Sequence, residues 1–267
     1  MPVSWAAKPN AVFTPTKNNS LVAKSSNLIF LIGELSLVKE LGEICHQRGF
    51  SVAYKLNEKS ATTALPKFFE RTATVPRNAM LAVELTNTDI SLKQKNLRTL
   101  DKAIPATKII LSSSVTVSVS EQLQWLKHPQ RIIGMSGLPT LLSQKLVEVA
   151  SSLQTDRRIL SQALDFFMKL GTEVSVVEDR VGMIMPRILC MIINEAFFAV
   201  KEGIASPQDI DTAMKLGTNY PLGPLEWAEK IGLRQVYSVL NAIHQDLGEE
   251  RYRIAPMLKQ MANSSTC

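Results

Sequence analysis

Short apolar runs alternate with amphipathic segments from Asn27 onward, and this alternation predicts β-strands that are each followed by a helix. The apolar runs include NLIFLIG, SVAYKL, AMLAVEL, KIILSSS, RIIGM, KLVEVASS and TEVSVV, and the first amphipathic segment is SLVKELGEICHQRG. Strands joined by helical crossovers form a parallel sheet that is covered by helices and binds ligands at its carboxyl edge. We therefore predict an α/β domain over residues 27–178.

The pattern becomes helical throughout after this domain. The stretch from Val181 to Val200 is apolar nearly all round, as expected of a helix buried against other helices or a second subunit. Ser206 followed by a proline marks the start of a second helix, and Pro224 is well placed to begin a third. Residues 179–267 are therefore predicted to form an all-α domain.

Several features argue against membrane insertion and secretion. The apolar stretch contains polar residues that would lie at mid-bilayer depth, namely Arg187, Asn194 and Glu195. Residues 1–26 contain prolines and polar residues throughout and no apolar run long enough for a signal peptide, so we predict an irregular arm. The scattered Cys45, Cys190 and Cys267 lack the spacing of a disulfide framework or metal site, which suits the cytoplasm.

Composition adds two limits. With 267 residues and 45% hydrophobic content, the chain can bury one large core or two modest ones, and we favour two domains. The net charge of +6 comes from basic residues that are dispersed rather than clustered, so a nucleic-acid partner is not predicted. This mild positive charge would suit a phosphate-bearing ligand. Alternatively, it reflects only a solvated surface with a slight excess of lysine.

The stretch GIASPQDIDTAMKLGTNYPLGPLEWAEKIGL resembles the helical domain of the 3-hydroxyacyl-CoA dehydrogenase family, an enzyme family of fatty-acid metabolism. The segments VEL, KIILSSS, RIIGM and KLVEV resemble its first domain in their layout. The resemblance extends from about Asn27 to Leu233. It implies a Rossmann-like domain that binds NAD, a helical domain that forms a homodimer, and an acyl-CoA site in the cleft between them.

On this resemblance the family's dinucleotide loop, G-x-G-x-x-G, corresponds to Gly33-Glu34-Leu35-Ser36-Leu37-Val38, in which only the first glycine remains. Leu35 and Val38 put side chains where the family needs close backbone approach to the pyrophosphate and close helix packing. Glu34 lies at the helix N-terminus, where its carboxylate competes with an anionic phosphate. These departures weaken the implied NAD site.

The remaining cofactor positions are also altered. The acidic residue that the family places after the second strand is Leu56 here, and Glu58 could replace it only if the strand end shifts. The resemblance leaves Gly33 and Glu84 as the candidate cofactor-binding residues. For Gly33 an ordinary strand-to-helix turn is an equally good interpretation.

The family's general-base histidine lies in a G-[ML]-H motif, which reads Gly134-Met135-Ser136 here. A serine hydroxyl cannot exchange protons near neutral pH as imidazole does, and loss of a general base costs roughly 10²- to 10⁴-fold in rate. Glu148 matches the glutamate that orients this histidine, so Glu148 and Ser136 are the candidate catalytic residues. Glu148 can equally serve as a hydrogen-bonding group between the domains. We predict surface or packing roles for the three histidines, His46, His128 and His244.

The substrate positions follow the same trend. Pro186 stands where the family has a substrate-binding asparagine, and Val115 where it has a serine. The candidate substrate-binding residues are therefore the neighbouring Ser112, Ser114 and Arg187. The chain is also short after the second strand, where the family makes coenzyme A contacts.

Two functions remain open on the sequence alone. The first is a catalytically impaired family member that keeps the fold and the dimer and binds acyl-CoA, another small acid or a partner protein in the cleft. The alternative is an active NAD-dependent oxidoreductase of 3-hydroxyacyl-CoA or a related hydroxy acid with a rearranged site. The chain lacks the family's glycine-rich loop, its general-base histidine and its substrate-binding asparagine. Their joint loss favours the first function, because all three serve hydride transfer.

Overall fold

The computed structural model describes residues 27–57 and 65–264, so the predicted N-terminal arm, Glu58 and Cys267 lie outside the described residues. Within these ranges the first domain contains one sheet with the strand order β3-β2-β1-β4-β5-β6-β7-β8. The strands are β1 (Leu28–Gly33), β2 (Ser51–Leu56), β3 (Phe69–Arg71), β4 (Leu81–Leu85), β5 (Ile110–Ser113), β6 (Ile132–Met135), β7 (Leu146–Ala150) and β8 (Glu173–Val177). All neighbours are parallel except β6 and β7.

Helices cover both faces of this sheet: α1 (Leu35–Gln47), α2 (Ile90–Ala103), α3 (Val119–Leu123) and α4 (Arg157–Leu170). Successive side chains of a strand point to opposite faces, so a strand buried on both sides is apolar at every position. In β1, Ile29 and Leu31 belong to the core under α1 and α4, whereas Phe30 and Ile32 belong to the core under α2 and α3. The apolar run NLIFLIG is explained by these two cores.

The chain winds away from β1 in both directions, because β1 lies between β2 and β4. Such a reversal opens a crevice beyond the carboxyl ends of the two central strands, and ligands of α/β folds bind there. Gly33 ends β1 at this point, and a Cβ atom on it would lie 2.3 Å from the carbonyl oxygen of Leu85 in β4. The close approach of β1 to β4 therefore requires a glycine at this position.

The second domain is helical in its described residues, with α5 (Met185–Lys201), α6 (Pro207–Thr218), α7 (Pro224–Ile231), α8 (Leu233–Leu247) and α9 (Pro256–Ser264). Ser206 caps α6 as predicted, since its hydroxyl accepts a hydrogen bond from the N–H of Asp209 at 3.2 Å. Val115 and Leu138 of the first domain belong to the same core cluster as α5, α7 and α8, so the two domains share buried apolar surface. None of the described helices is long and apolar enough to cross a membrane.

The predicted α/β domain followed by a helical domain is confirmed, with one difference in strand direction. We predicted a parallel sheet, but β7 runs antiparallel to β6. Residues 136–145 connect the two strands without an intervening helix. A parallel connection needs a crossover of a dozen or more residues, so this shorter connection returns the chain in the opposite direction.

Candidate functional site

The crevice beyond β1 and β4 is spanned by the side chain of Glu34, the residue that precedes α1. Glu34 is only 6% exposed. Its Oε1 accepts hydrogen bonds from the backbone N–H groups of Asn87 (3.0 Å) and Thr88 (2.8 Å) and from the Thr88 hydroxyl (2.7 Å). Asn87 and Thr88 follow β4, so one carboxylate joins the two sides of the crevice. The donors that would bind an anionic ligand there already bind Glu34.

The helical domain closes the crevice from above through Gln235 of α8. The side-chain amide of Gln235 donates to the second carboxylate oxygen of Glu34. Asn87 donates from its amide nitrogen to Gln235 Oε1 at 3.0 Å and to the carbonyl oxygen of Gly137 at 2.8 Å. The hydroxyl of Ser113 donates to Asn87 Oδ1 at 2.6 Å. We call Glu34, Asn87, Thr88, Ser113 and Gln235 the seam network, because these buried or half-buried groups tie the two domains together.

The candidate catalytic residues Ser136 and Glu148 lie next to each other at the domain boundary. The Ser136 hydroxyl accepts a hydrogen bond from the backbone N–H of Glu148 at 3.0 Å. The Glu148 carboxylate, 4% exposed, accepts from the N–H groups of Ile184 (2.7 Å) and Met185 (2.6 Å) at the start of α5. It therefore caps a helix of the second domain, which is the hydrogen-bonding role left open by the sequence. Pro186 is buried in the first turn of α5.

The candidate substrate residues Ser112 and Ser114 do not reach the crevice. Ser112 is fully buried and its hydroxyl donates to Glu84 at 3.4 Å, whereas Ser114 accepts from the side-chain amide of Gln122 at 3.0 Å. Both hydroxyls face the side of the sheet that α2 and α3 cover. Because side chains alternate along an extended chain, the intervening Ser113 faces the crevice instead. The structure therefore places the predicted substrate-binding residues Ser112 and Ser114 on the far side of the sheet from the crevice.

Glu84, predicted as a cofactor-binding residue, is likewise turned away from the crevice. Its side chain is fully buried and forms an ion pair with Lys93 of α2, which is buried to the same extent. Lys93 also donates to the carbonyl oxygen of Thr86 at 3.1 Å. Burial raises the pKa of the Glu84 carboxyl, and the Lys93 charge acts in the opposite direction. Glu84 is a structural residue of the first domain.

Arg187 and His46 make their contacts away from the crevice. The Arg187 guanidinium donates to the carbonyl oxygen of Val181 at 2.6 Å and to the Tyr252 hydroxyl at 3.3 Å, so its contacts are with the helical domain rather than the crevice. His46 stacks on Phe68 with ring centroids 3.8 Å apart. No hydrogen bond joins any histidine to Ser136 or Glu148 in the described part of the chain.

The cysteines act as apolar residues where they are described. Cys45 and Cys190 are free and buried, and burial raises the pKa of the Cys45 thiol to about 12 and that of Cys190 well above its usual value. Over residues 27–57 and 65–264, no group of three histidine, cysteine, aspartate or glutamate side chains could hold a metal ion.

Comparisons with known proteins decide the family. Residues 39–180 match the family model of the 3-hydroxyacyl-CoA dehydrogenase NAD binding domain, and residues 182–266 match that of the C-terminal domain. The chain belongs to the 3-hydroxyacyl-CoA dehydrogenase family. This confirms the resemblance on which the sequence predictions were based.

Individual relatives agree with the family models. A probable 3-hydroxybutyryl-CoA dehydrogenase of Bacillus subtilis is 34% identical over 183 residues, which cover 68% of this chain and 64% of the relative. A 3-hydroxybutyryl-CoA dehydrogenase of Bradyrhizobium diazoefficiens is 33% identical, covering 67% of this chain and 61% of the relative. The matched region thus spans somewhat less than two thirds of these relatives' length.

Solved structures show the same fold. The (S)-3-hydroxybutyryl-CoA dehydrogenase of Ralstonia eutropha has a TM-score of 0.74 at 24% identity, covering 90% of this chain and 94% of that one. FadB2 of M. tuberculosis has a TM-score of 0.80 at 19% identity, covering 90% and 95%. At these identities the likeness shows the fold alone.

The family match supports NAD as the cofactor of this domain, but the residues at the start of α1 do not fit a dinucleotide bound in the family's manner. The match to the NAD binding domain begins at residue 39, after the loop that holds the pyrophosphate. In that loop Glu34 fills the crevice with a carboxylate, and Val38 is fully buried in the core between α1 and the sheet. Leu56, where the family has an acid for the ribose, packs against the same core.

Sequence reasoning found one member of the seam network and missed others. It placed the Glu34 carboxylate at the helix N-terminus, where the structure has it. Asn87 and Gln235 were not identified, because a single amide residue in a loop or on a helix carries no signal of a partner 148 positions away. Side chains alternate between the two faces of a sheet along each strand. Ser113 could therefore have been identified once it was known which residues of β5 point away from the crevice.

Proposed function

We propose that this member of the 3-hydroxyacyl-CoA dehydrogenase family does not transfer hydride and acts as a binding protein. The observation that carries the proposal is the buried Glu34 carboxylate in the crevice. Among the described residues, four donors converge on it, from Asn87, Thr88 and Gln235. A dinucleotide phosphate at that place would have to displace this carboxylate and break the hydrogen bonds between the domains.

The groups that would perform the reaction support the same proposal. Ser136 has a hydroxyl where proton transfer requires imidazole, and this hydroxyl already accepts a hydrogen bond from Glu148. Val115 and Pro186, at the two substrate positions, are buried and have no side-chain hydrogen-bonding group. Both carboxylate oxygens of Glu148 accept hydrogen bonds from backbone N–H groups at the start of α5. This structural role explains a glutamate at this position even though there is no histidine for it to orient.

The test is a paired binding and turnover measurement. We expect the full chain with NADH and acetoacetyl-CoA to show a rate at least roughly 10²- to 10⁴-fold below that of an active family dehydrogenase run in parallel, as expected after loss of a general base. Ser136→His alone should not restore the rate, because the crevice remains filled. Turnover comparable to the parallel enzyme would favour the alternative, an active NAD-dependent oxidoreductase with a rearranged site.

We further propose a homodimer formed through the helical domain. Large apolar side chains that are about half exposed lie just before α5 and in its first turn, namely Ile184, Met185 and Ile188. Contiguous apolar surface of this kind is typical of an association interface, and a symmetric dimer is the commonest solution for identical chains. The ligand of the binding protein is then an acyl thioester, another small acid or a partner protein, the three classes that the sequence leaves open.

Light scattering at micromolar protein concentration tests the dimer. We expect about twice the mass of one chain for the unaltered protein, and dissociation on Ile188→Glu, because the charge would be desolvated in the interface. Leu153→Glu is the matched control, since Leu153 is a fully exposed leucine on the first domain. A monomer before any substitution, or equal masses for the two variants, would contradict the proposed interface.

A further inference from the structure

A cavity of about 550 Å³ lies between β8, the start of α5 and the end of α8. Strand β8 contributes Val176, α5 contributes Arg187, and Arg251 comes from the connection between α8 and α9. No residue of the seam network lines this cavity, and all of its lining residues belong to one chain, so it does not require the proposed dimer. Its volume suits a small organic ligand.

Two arginines of the lining are held against one aromatic ring. The guanidinium carbon atoms of Arg187 and Arg251 lie 5.8 and 4.7 Å from the ring centroid of Tyr252. Arg187 is half-buried, and it is fixed further by donating to the carbonyl oxygen of Val181 at 2.6 Å and to the Tyr252 hydroxyl at 3.3 Å. The fold therefore holds two positive charges near each other. Guanidinium groups that are already ordered lose less entropy when they bind a carboxylate or phosphate.

The positive charge of this lining is only partly neutralised by the chain itself. Arg251 pairs with Glu249 at 2.8 Å, but the half-buried Arg187 has no carboxylate partner among the described residues. A third arginine of the lining, Arg180, also forms no ion pair there, and neither does Glu178, the acid of the lining. Partial burial of a charge without a counter-charge costs free energy. An anionic ligand would offset this cost through charge-assisted hydrogen bonds.

The rest of the lining is largely apolar. Val176 and Ile184 are about half exposed, and Met183 and Leu247 add further aliphatic surface. Exposed aliphatic side chains beside arginines favour a ligand that has a hydrocarbon part as well as a negative charge. We propose that this cavity binds an amphipathic anion, with a carboxylate or phosphate group at the arginines and a short aliphatic chain along Val176 and Ile184. This site goes beyond the proposed function, and it does not depend on the loss of hydride transfer.

Alkyl probes of equal chain length test the ligand class: octanoate, octyl phosphate, octanol and octylamine. Calorimetry on the full chain at neutral pH should show that at least one of the two anions binds about tenfold more tightly than octanol. The tighter anion then identifies the head group as carboxylate or phosphate. Octylamine, which is positively charged at this pH, should bind more weakly than octanol. Equal affinities for the anions and octanol would overturn the proposal, and so would acetate or inorganic phosphate binding as tightly as the alkyl anions.

Variants locate the site. Arg180→Gln combined with Arg251→Gln should reduce the affinity for the tighter anion by about tenfold and leave that for octanol unchanged. Both side chains are exposed, so the fold should stay intact, which circular dichroism checks. Val176→Ser should instead weaken the anion and octanol alike, because it removes apolar surface that both would contact.

The matched control is Arg157→Gln combined with Arg158→Gln. It removes the same charge from two exposed arginines of α4 outside the cavity, and Arg158 pairs with Asp156 at the surface as Arg251 does with Glu249. Its affinity for the anion should equal that of the unaltered protein. Anion binding that survives the Arg180 and Arg251 substitutions, or that the control weakens equally, would refute the site. The NADH and turnover test above decides the loss of hydride transfer separately.

Discussion

Replacing Lys93 with methionine is expected to lower the free energy of unfolding by about 3–5 kcal/mol, the usual cost of removing one partner of a buried ion pair. Lys93 and Glu84 are both fully buried, and Lys93 is the cation beside that carboxylate. The variant would leave the Glu84 charge in the core between β4 and α2 with only neutral hydrogen-bond donors. Urea unfolding followed by circular dichroism measures the difference.

Two further variants distinguish the effect of breaking the buried ion pair from the effect of removing a lysine side chain. Lys95→Met changes an exposed lysine on the same helix and should alter stability by less than about 0.5 kcal/mol. Glu84→Leu combined with Lys93→Met removes both charges and should be more stable than Lys93→Met alone, because no unpaired charge remains. A Lys93→Met variant as stable as Lys95→Met would show that the pair is not buried as described.

The pH dependence of the Lys93→Met variant has a definite sign. Burial already raises the pKa of Glu84, and Lys93 is the main group that lowers it. Without Lys93 the folded state binds the Glu84 proton more tightly than the unfolded state, whose carboxyl has a pKa of about 4.3. Stability of the variant therefore falls as pH rises from about 4.3 through the folded pKa. We expect a smaller deficit relative to the unaltered protein at mildly acidic pH than at mildly alkaline pH.

Local sequence patterns predict those structural features that are determined by residues close together in the chain. The double-sided apolar run of β1, the Ser206 cap of α6 and the position of Glu34 at the start of α1 follow from residue order and are present in the structure. The direction in which a buried serine points depends on strand register and on which layer covers each face. The sequence alone therefore cannot decide which of Ser112, Ser113 and Ser114 faces the crevice; in the structure it is Ser113, which donates to Asn87.

Contacts between distant residues explain most of the remaining differences. Glu34 and Gln235 are 201 positions apart, and their contact requires the helical domain to fold back over the crevice. Glu84 was considered for cofactor binding because its segment resembles the family layout, but its orientation is set by Lys93, nine residues later on a helix. A charged residue inside an apolar strand followed by a lysine on the next helix indicates an internal ion pair as readily as a ligand contact.

Removing the Glu34 carboxylate should convert the filled crevice into an anion site. In Glu34→Ala the backbone N–H groups of Asn87 and Thr88 lose their acceptor and become available, and no negative charge remains at the start of α1. We expect inorganic pyrophosphate and NADH each to bind at least about tenfold more tightly than to the unaltered protein by calorimetry. Adding Leu35→Gly should increase the NADH gain by removing side-chain bulk. Val38 is left unchanged because it is fully buried in the core.

Loss of the seam network should also destabilise the Glu34→Ala variant by about 2–3 kcal/mol, since hydrogen bonds to a carboxylate are broken. Glu40→Ala is the matched control. Glu40 lies on the same helix, and its carboxylate accepts hydrogen bonds from the N–H groups of Thr140 and Ser143, both at 2.8 Å, away from the crevice. It should lose stability without gaining affinity for pyrophosphate. If a folded Glu34→Ala variant binds pyrophosphate no better than Glu40→Ala does, then Glu34 does not occupy an anion site, and the proposal that it excludes the dinucleotide fails.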